Sequence, residues 1–289
     1  MLPIRKILLP IDFHEGSLRI VHLAAGLAQR FGSEVILAHV VTKHDYSPHE
    51  TKGGRPLQSE ELLGEIVEYA QKDLHESIGP EFEGLRVKCL VRKGDAASEI
   101  VEIASEESVD LIVMPTHGYN GFYRFLIGSV TAKVIHDSDC PVLTSAHLED
   151  APAPNLPIKH LLCGVTYSDH SVETLRRAVE VAGEFKATLT LGIVTPSVEL
   201  YGPGGNYVDR PWRDELVLGA TEQLAKLQQQ VGSKADTRIE SGDPGAGLSR
   251  IASQIGADLL VVGCHASGGR LGSNGYGIIS NSQIPVLSV

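Results

Sequence analysis

The second half of this 289-residue chain repeats the first. Lys6-Ile7-Leu8-Leu9-Pro10-Ile11-Asp12 is answered by Lys159-His160-Leu161-Leu162-Cys163-Gly164-Val165-Thr166, and Gly94-Asp95 by Gly242-Asp243. Asp110-Leu111-Ile112-Val113 is answered by Asp258-Leu259-Leu260-Val261, and Cys140-Pro141-Val142-Leu143 by Ile284-Pro285-Val286-Leu287. Asp110 and Asp258 stand 148 residues apart. A repeat of that length is a duplicated domain, not a solenoid. The segment between the copies is polar and proline-rich, so residues 148–157 read as a linker joining domains 1–147 and 158–289.

Within each copy, short apolar runs alternate with helical patterns. The first copy predicts strands over 5–12, 34–41, 86–92, 110–115 and 141–145, and helices over 16–31, 58–78, 96–108 and 128–138. Leu18, Val21, Ala25 and Leu27 recur at helical spacing, as do Ile100, Ile103 and Ala104, and Gly32 supplies a C-terminal stop. Strands alternating with helices imply a parallel sheet covered on both faces. Ligands of such sheets bind beyond the carboxyl ends of the strands, where the strand order reverses. With the order 3-2-1-4-5, strands 1 and 4 are neighbours and the crevice opens between them.

Strand 1 ends at Pro10-Ile11-Asp12 and strand 4 at Met114-Pro115. Thr116-His117-Gly118 follows strand 4; nine residues later, Gly128-Ser129-Val130-Thr131 opens a helix. Small residues leaving a strand, with a Gly-Ser pair starting a helix, let backbone N–H groups face an anion. The pattern predicts a phosphate site and hence a nucleotide. Asp12 and this glycine loop, about 100 residues apart, converge on one crevice.

These residues, together with His39-Val40-Val41, resemble the universal stress protein family, and the resemblance spans nearly the whole chain as two tandem copies. It implies an α/β fold of two tandem Rossmann-like domains of the adenine nucleotide alpha hydrolase type. Each would be a five-stranded parallel sheet of order 3-2-1-4-5 with helices on both faces. The family's ATP-binding subgroup carries G-x2-G-x9-G-[ST]; Gly118, Gly128 and Ser129 match, and Pro115 stands at the first glycine. The resemblance implies ATP or AMP as ligand, with Mg2+ as an optional companion. It assigns nucleotide contacts to Pro10, Ile11, Asp12 and Val40, to Met114, Pro115, His117 and Gly118, and to Gly128, Ser129, Val130 and Thr131. Asp12 would lie near the adenine or ribose, and the Val40 backbone would read the adenine edge. Gly118 would let the chain approach the triphosphate, and residues 128–131 would supply N–H and hydroxyl donors. Pro115 has no N–H and a fixed φ, so it removes one donor or stiffens the strand exit. In the second copy Thr166 replaces the acid, Ala266 replaces the second glycine, and only residues 267–271 separate Ala266 from Gly272-Ser273. This copy is expected not to hold ATP in the family manner, and to serve structure or regulation.

Several features have plainer readings. Asp12 also suits a helix N-cap, and Gly118, Gly121 and Gly128 also suit ordinary turns. His117 would touch phosphate or pack beneath the loop. His39, His44 and His49 are too loosely spaced to predict a metal site. Cys89, Cys140, Cys163 and Cys264 are far apart and read as structural thiols in a reducing compartment. Residues 42–56 and 197–211 read as mobile loops, the former a lid over the nucleotide; 267–277 reads as a slack loop.

The formal charge of -11 argues against broad affinity for nucleic acid or anionic membrane. No apolar stretch approaches the ~18 residues of a membrane span, and the N-terminus lacks signal-peptide anatomy, so the expected location is cytoplasmic. The last strands, 141–145 and 285–289, are short and apolar and would need pairing at a sheet edge. Pairing of the two copies within the chain, and a homodimer of chains, is the expectation. No general base or metal-binding carboxylate cluster is identifiable, so no catalytic residue is assigned. G-x-G-x-x-G is missing after strand 1, which disfavours a dinucleotide oxidoreductase. Residues 13–17 lack the Ser-Gly-Gly loop of adenylate-forming ligases. The expected role is a stress-response regulator that binds ATP or AMP in its first copy. The alternatives are a slow ATPase or nucleotidyl-transfer enzyme, and a ligand-free scaffold for an unknown protein client.

Overall fold

The computed structural model describes residues 3–13, 18–42, 60–116, 127–145, 158–168, 170–197, 199–202, 205–208, 210–263 and 273–289. The chain divides into two compact units, one formed mainly by Pro3–Tyr123 with Gly128–Ser145 and the other mainly by Ala146–Val289. His44, His49, His117, Gly118, Gly121, Cys264 and the linker lie outside the described residues, as do nearly all of 42–56 and most of 267–277.

The first unit runs β1 (Lys6–Pro10), α1 (Leu18–Phe31), β2 (Glu34–Val41), α2 (Glu60–Asp73), β3 (Val87–Lys93), α3 (Ala96–Glu106), β4 (Leu111–Met114), α4 (Ser129–Asp137) and β5 (Val142–Thr144). Its strands are parallel and ordered β3-β2-β1-β4-β5. Right-handed crossovers put α1 and α2 on one face of that sheet and α3 and α4 on the other. The central strands therefore carry unbroken apolar runs: Ile7, Leu8, Leu9, Ile112 and Val113 are fully buried. Of the helix expected over 58–78, the α-helical part ends at Asp73; a π-turn (Leu74–Ile78) completes it and a 3-10 turn (Gly79–Phe82) extends it, burying Leu74, Ile78 and Phe82.

The second unit runs β6 (His160–Gly164), α5 (His170–Phe185), β7 (Thr188–Thr195), β8 (Glu199–Gly202), β9 (Gly205–Val208), α6 (Arg210–Val231), β10 (Asp236–Ser241), α7 (Pro244–Ile255), β11 (Leu259–Val262), α8 (Ser273–Asn281) and β12 (Val286–Ser288). Its parallel sheet has the matching order β10-β7-β6-β11-β12. One expectation fails here. Residues 197–211 do not form a plain loop: β8 and β9 pair as an antiparallel hairpin, Glu199 opposite Val208 and Gly202 opposite Gly205, and α6 already begins at Arg210. Four glycines and prolines at 202–205 mask the strand signal on either side, because such residues mark a turn before they mark its flanks.

The repeat extends to individual hydrogen bonds. Asp110 accepts from the amides of Arg5 (2.7 Å) and Lys6 (2.9 Å); Asp258 accepts from those of Lys159 (2.7 Å) and His160 (2.9 Å). Lys6 thus corresponds to His160, one place later than matching its Lys with Lys159 suggests. Gly94 and Gly242 both adopt positive φ (152° and 117°), where glycine is favoured, and turn each strand toward its helix. The aspartate that follows caps the helix: Asp95 accepts from the Ser98 amide (3.0 Å) and Asp243 from the Ala246 amide (2.8 Å). The Gly-Asp pair recurs because one residue makes the bend and the next caps the helix.

Each Asp110-type carboxylate joins the start of one central strand to the start of its neighbour. Asp110→Ala and Asp258→Ala are each expected to destabilise their own unit by about 2 kcal/mol, since charge-assisted bonds to amides are lost. Urea unfolding followed by fluorescence or circular dichroism reads this shift in the midpoint.

Candidate functional site

In the first unit the strand order reverses between β1 and β4, and the described candidate residues lie at or just beyond the carboxyl ends of β1, β2 and β4 and at the start of α4. Pro10 closes β1, half-buried; Ile11 is buried and its amide still bonds to the Ala38 carbonyl (2.8 Å); Asp12 follows, partly exposed. Val40 lies on β2, two residues beyond Ala38. Backbone groups of a strand alternate between its two neighbours. Ala38 bonds toward β1 and Val41 toward β3, where its carbonyl accepts from Gly94 (3.2 Å). The peptide groups of Val40 therefore face the β1 side, just past where β1 ends. Met114 is buried, and its carbonyl is turned to β5, accepting from Ser145 (3.4 Å).

Beyond β4 the chain leaves the sheet and returns at α4. Two hydrogen bonds fasten the return. The Gly128 amide donates to the Thr116 carbonyl (2.7 Å), and the Thr131 hydroxyl donates to the Pro115 carbonyl (2.9 Å). This changes the expected list of phosphate donors: the Gly128 N–H and the Thr131 hydroxyl are spent on the chain itself. The remaining donors are the amides of Ser129, Val130 and Thr131. As the first three residues of an α-helix they have no intrahelical acceptor. No acidic residue occupies this first turn. Ser129 and Val130 are exposed, whereas Thr131 is buried by its bond to Pro115. Pro115 lacks an N–H, but its carbonyl is what anchors the helix.

Three residues of this site escape sequence reasoning. His39 sits beside Val40 on β2, and its Nδ1–H donates to the Ile11 carbonyl (2.8 Å). Phe13 holds a left-handed φ of 60° and its ring meets that of His39, centroids 4.8 Å apart. The position of His39 next to Val40 is a signal the sequence does offer. Thr116, 2% exposed, offers none, because it acts through its carbonyl.

A third contact steadies α4. Lys133, one turn into the helix, donates to the Asp95 carboxylate (2.7 Å) and to the Ser98 hydroxyl (3.0 Å). The Lys133 bond, then the Ser98 hydroxyl and amide, hold the Asp95 pKa down to about 2 from its ordinary 3.8. The same bond raises the Lys133 pKa above its ordinary 10.5.

The corresponding place in the second unit is built differently. Thr166 stands in the position of Asp12, and its amide and carbonyl both bond to the Ser171 hydroxyl of α5 (3.0 and 2.9 Å). Its own hydroxyl meets that of Ser168 (2.9 Å). Gly263 stands where Pro115 does; it is exposed, and a Cβ there would lie 2.4 Å from the Thr174 hydroxyl oxygen of α5, so glycine suits this close approach. Gly277 occupies the place of Lys133, and its carbonyl lies 2.5 Å from where a Cβ on Gly245 would be. Helices α7 and α8 meet backbone to backbone where α3 and α4 meet through an ion pair.

The universal stress protein profile matches residues 3–145 and again 157–289. The chain belongs to the universal stress protein family. A universal stress protein of Mycolicibacterium smegmatis is 27% identical over 98% of this chain and 96% of its own length. Another, from Methanocaldococcus jannaschii, is 35% identical over 48% of this chain and 80% of its own length. The crystal structure of a universal stress protein from Archaeoglobus fulgidus shares the fold, with a TM-score of 0.69 at 21% identity, covering 98% of this chain and 97% of that one. Among the described residues, no cluster of three His, Cys, Asp or Glu side chains forms a metal site, and no helix is long and apolar enough to cross a membrane. Burial pushes the Cys140 and Cys163 thiols up to about 12, so neither supplies a thiolate near neutral pH.

The Asp95–Lys133 contact adds a small pH-dependent contribution to the stability of this universal stress protein. Because the folded Asp95 pKa lies below its ordinary value, its contribution is complete above about pH 4 and fades as the pH falls through about 2. From the lysine side, the contribution is complete below 10.5 and fades as the pH climbs through the raised folded value. Asp95→Asn is expected to flatten the stability profile between pH 4 and 2, measured by thermal melts across that range.

Proposed function

We propose that the first unit binds an adenine nucleotide in the crevice at the ends of β1 and β4, as a regulatory ligand held without efficient turnover. The observation that carries this reading is the fastened N-terminus of α4. Its amides at Ser129, Val130 and Thr131, which have no intrahelical acceptor, lie in one turn, and the positive end of the helix dipole favours an anion there. The two bonds from Gly128 and Thr131 to the exit of β4 hold that turn in place before any ligand arrives, which lowers the ordering cost of binding.

The nucleoside end follows from the other strands. Val40 presents a peptide N–H and C=O on the same side, a donor and an acceptor suited to the N1 and N6 edge of adenine. Asp12 supplies an acceptor for ribose hydroxyls. ATP and AMP both satisfy this arrangement. Mg2+, where it accompanies ATP, would be held by phosphate oxygens and water, as is usual for that ion. The absence of an assigned general base supports binding over hydrolysis. The second unit, with Thr166 bonded to Ser171 in the place of Asp12, serves as a structural or regulatory partner. A cytoplasmic homodimer remains part of this proposal.

Ser129→Asp tests the phosphate site without harming the fold. An acidic residue in the first turn suits the helix dipole, so melting of the unliganded variant should be unchanged or slightly raised. The same charge repels phosphate, so the stabilisation by ATP should disappear. In the wild type, ATP at a hundred times its Kd adds roughly 2.7 kcal/mol, a clear rise in Tm. Equal ATP-induced shifts in both proteins would refute the assignment. Phosphate release over many turnovers by the wild type would replace the regulatory reading with the enzymatic one.

A further inference from the structure

We propose that His39 is a positioning residue that gives the crevice its selectivity for the nucleoside over bare phosphate. The inference rests on the nucleotide reading above.

Asp12 is held from both sides by β2. On one side, Ile11 donates its amide to Ala38 (2.8 Å) and accepts at its carbonyl from His39 Nδ1–H (2.8 Å). A carbonyl can only accept, so the imidazole proton resides on Nδ1 in this contact. On the other side, the Phe13 ring leans on the His39 ring at 4.8 Å, tilted by 49°. Phe13 pays for this with a left-handed φ of 60°, uncommon for an aromatic residue and sustained only where neighbours over-determine it. One imidazole thus sets the residues before and after Asp12. The same imidazole is the neighbour of Val40, whose peptide faces the β1 side. His39 therefore ties together the two groups assigned to the nucleoside, and among the described residues its contacts are with Ile11 and Phe13, neither of them assigned to phosphate.

The second unit supplies the internal comparison. Gly192 occupies the place of Ala38, since its carbonyl accepts from Val165 as Ala38 accepts from Ile11 (2.9 and 2.8 Å). Ile193 therefore stands where His39 does, and it has no donor. There the turn is held by Ser171 of α5 instead, and the residue in the place of Asp12 is Thr166. Strand β2 sets the turn in the unit with the acid; helix α5 sets it in the unit without.

The test uses the full chain and two probes, ATP and inorganic tripolyphosphate, by calorimetric titration. Wild type should bind ATP at least about tenfold more tightly than tripolyphosphate. His39→Ile, which copies the residue found in the second unit and suits a strand, should lower ATP affinity about tenfold while leaving tripolyphosphate affinity unchanged. His39→Asn, whose amide nitrogen can reach the Ile11 carbonyl, should restore much of the difference. An unaltered ATP-to-tripolyphosphate ratio in His39→Ile overturns the proposal. An equal loss for both probes also overturns it, because that marks a general structural role. Wild type that binds neither probe sinks the nucleotide reading itself, and the inference with it.

Discussion

The exit of β4 and the start of α4 are joined by the Gly128 amide on the Thr116 carbonyl and the Thr131 hydroxyl on the Pro115 carbonyl. Every function assigned to the first unit depends on this junction. A helix start is an anion site only if its open amides point to a fixed place. Here the cap residue and the third helical residue are spent on the sheet, so the amides of the first turn keep their direction. The Asp95–Lys133 contact adds a brace one turn further on. The sheet contributes the other half: β1 stops at Pro10 while β2 continues to Val41, which leaves the Val40 peptide facing the space next to Asp12.

The two units share a scaffold and differ in what they do with its open end. Both hold neighbouring strand starts together through one aspartate, and both turn into their third helix through Gly-Asp. At the open end, the second unit satisfies its groups internally. Thr166 bonds to Ser171, and α7 meets α8 through Gly245 and Gly277. A duplicated domain can rebuild its open end in this way without losing its fold, because the buried strands and caps lie apart from that end.

Much of this was legible in the residues. Unbroken apolar runs such as 7–9 and 111–114 announce strands buried on both faces, and the repeat announces two copies. Asp12 stands out because strand ends at a reversal of order are the place to look, whereas Val40 is singled out only by the family resemblance. What the sequence hides is use of the backbone. Thr116 and Pro115 act through carbonyls, so no side-chain pattern marks them. Gly128 and Thr131 read as ligand donors because a Gly-Ser-x-Thr helix start looks the same whether its groups face a phosphate or the protein. His39 reads from spacing as a loose metal-ligand candidate, although its place beside Val40 brings it against the turn that carries Asp12. The hairpin of β8 and β9 was lost behind its own glycines.

The central claim is that the first-turn amides of α4 hold the charged end of a nucleotide. The most direct measurement is the movement of backbone amide resonances of the isotope-labelled chain as ATP is added. The account predicts that Ser129, Val130 and Thr131 shift together and saturably, with Val40 and Asp12 following and Ser273 of the second unit unmoved. Shifts confined to other residues, or none at ATP concentrations in the millimolar range of cells, would contradict it.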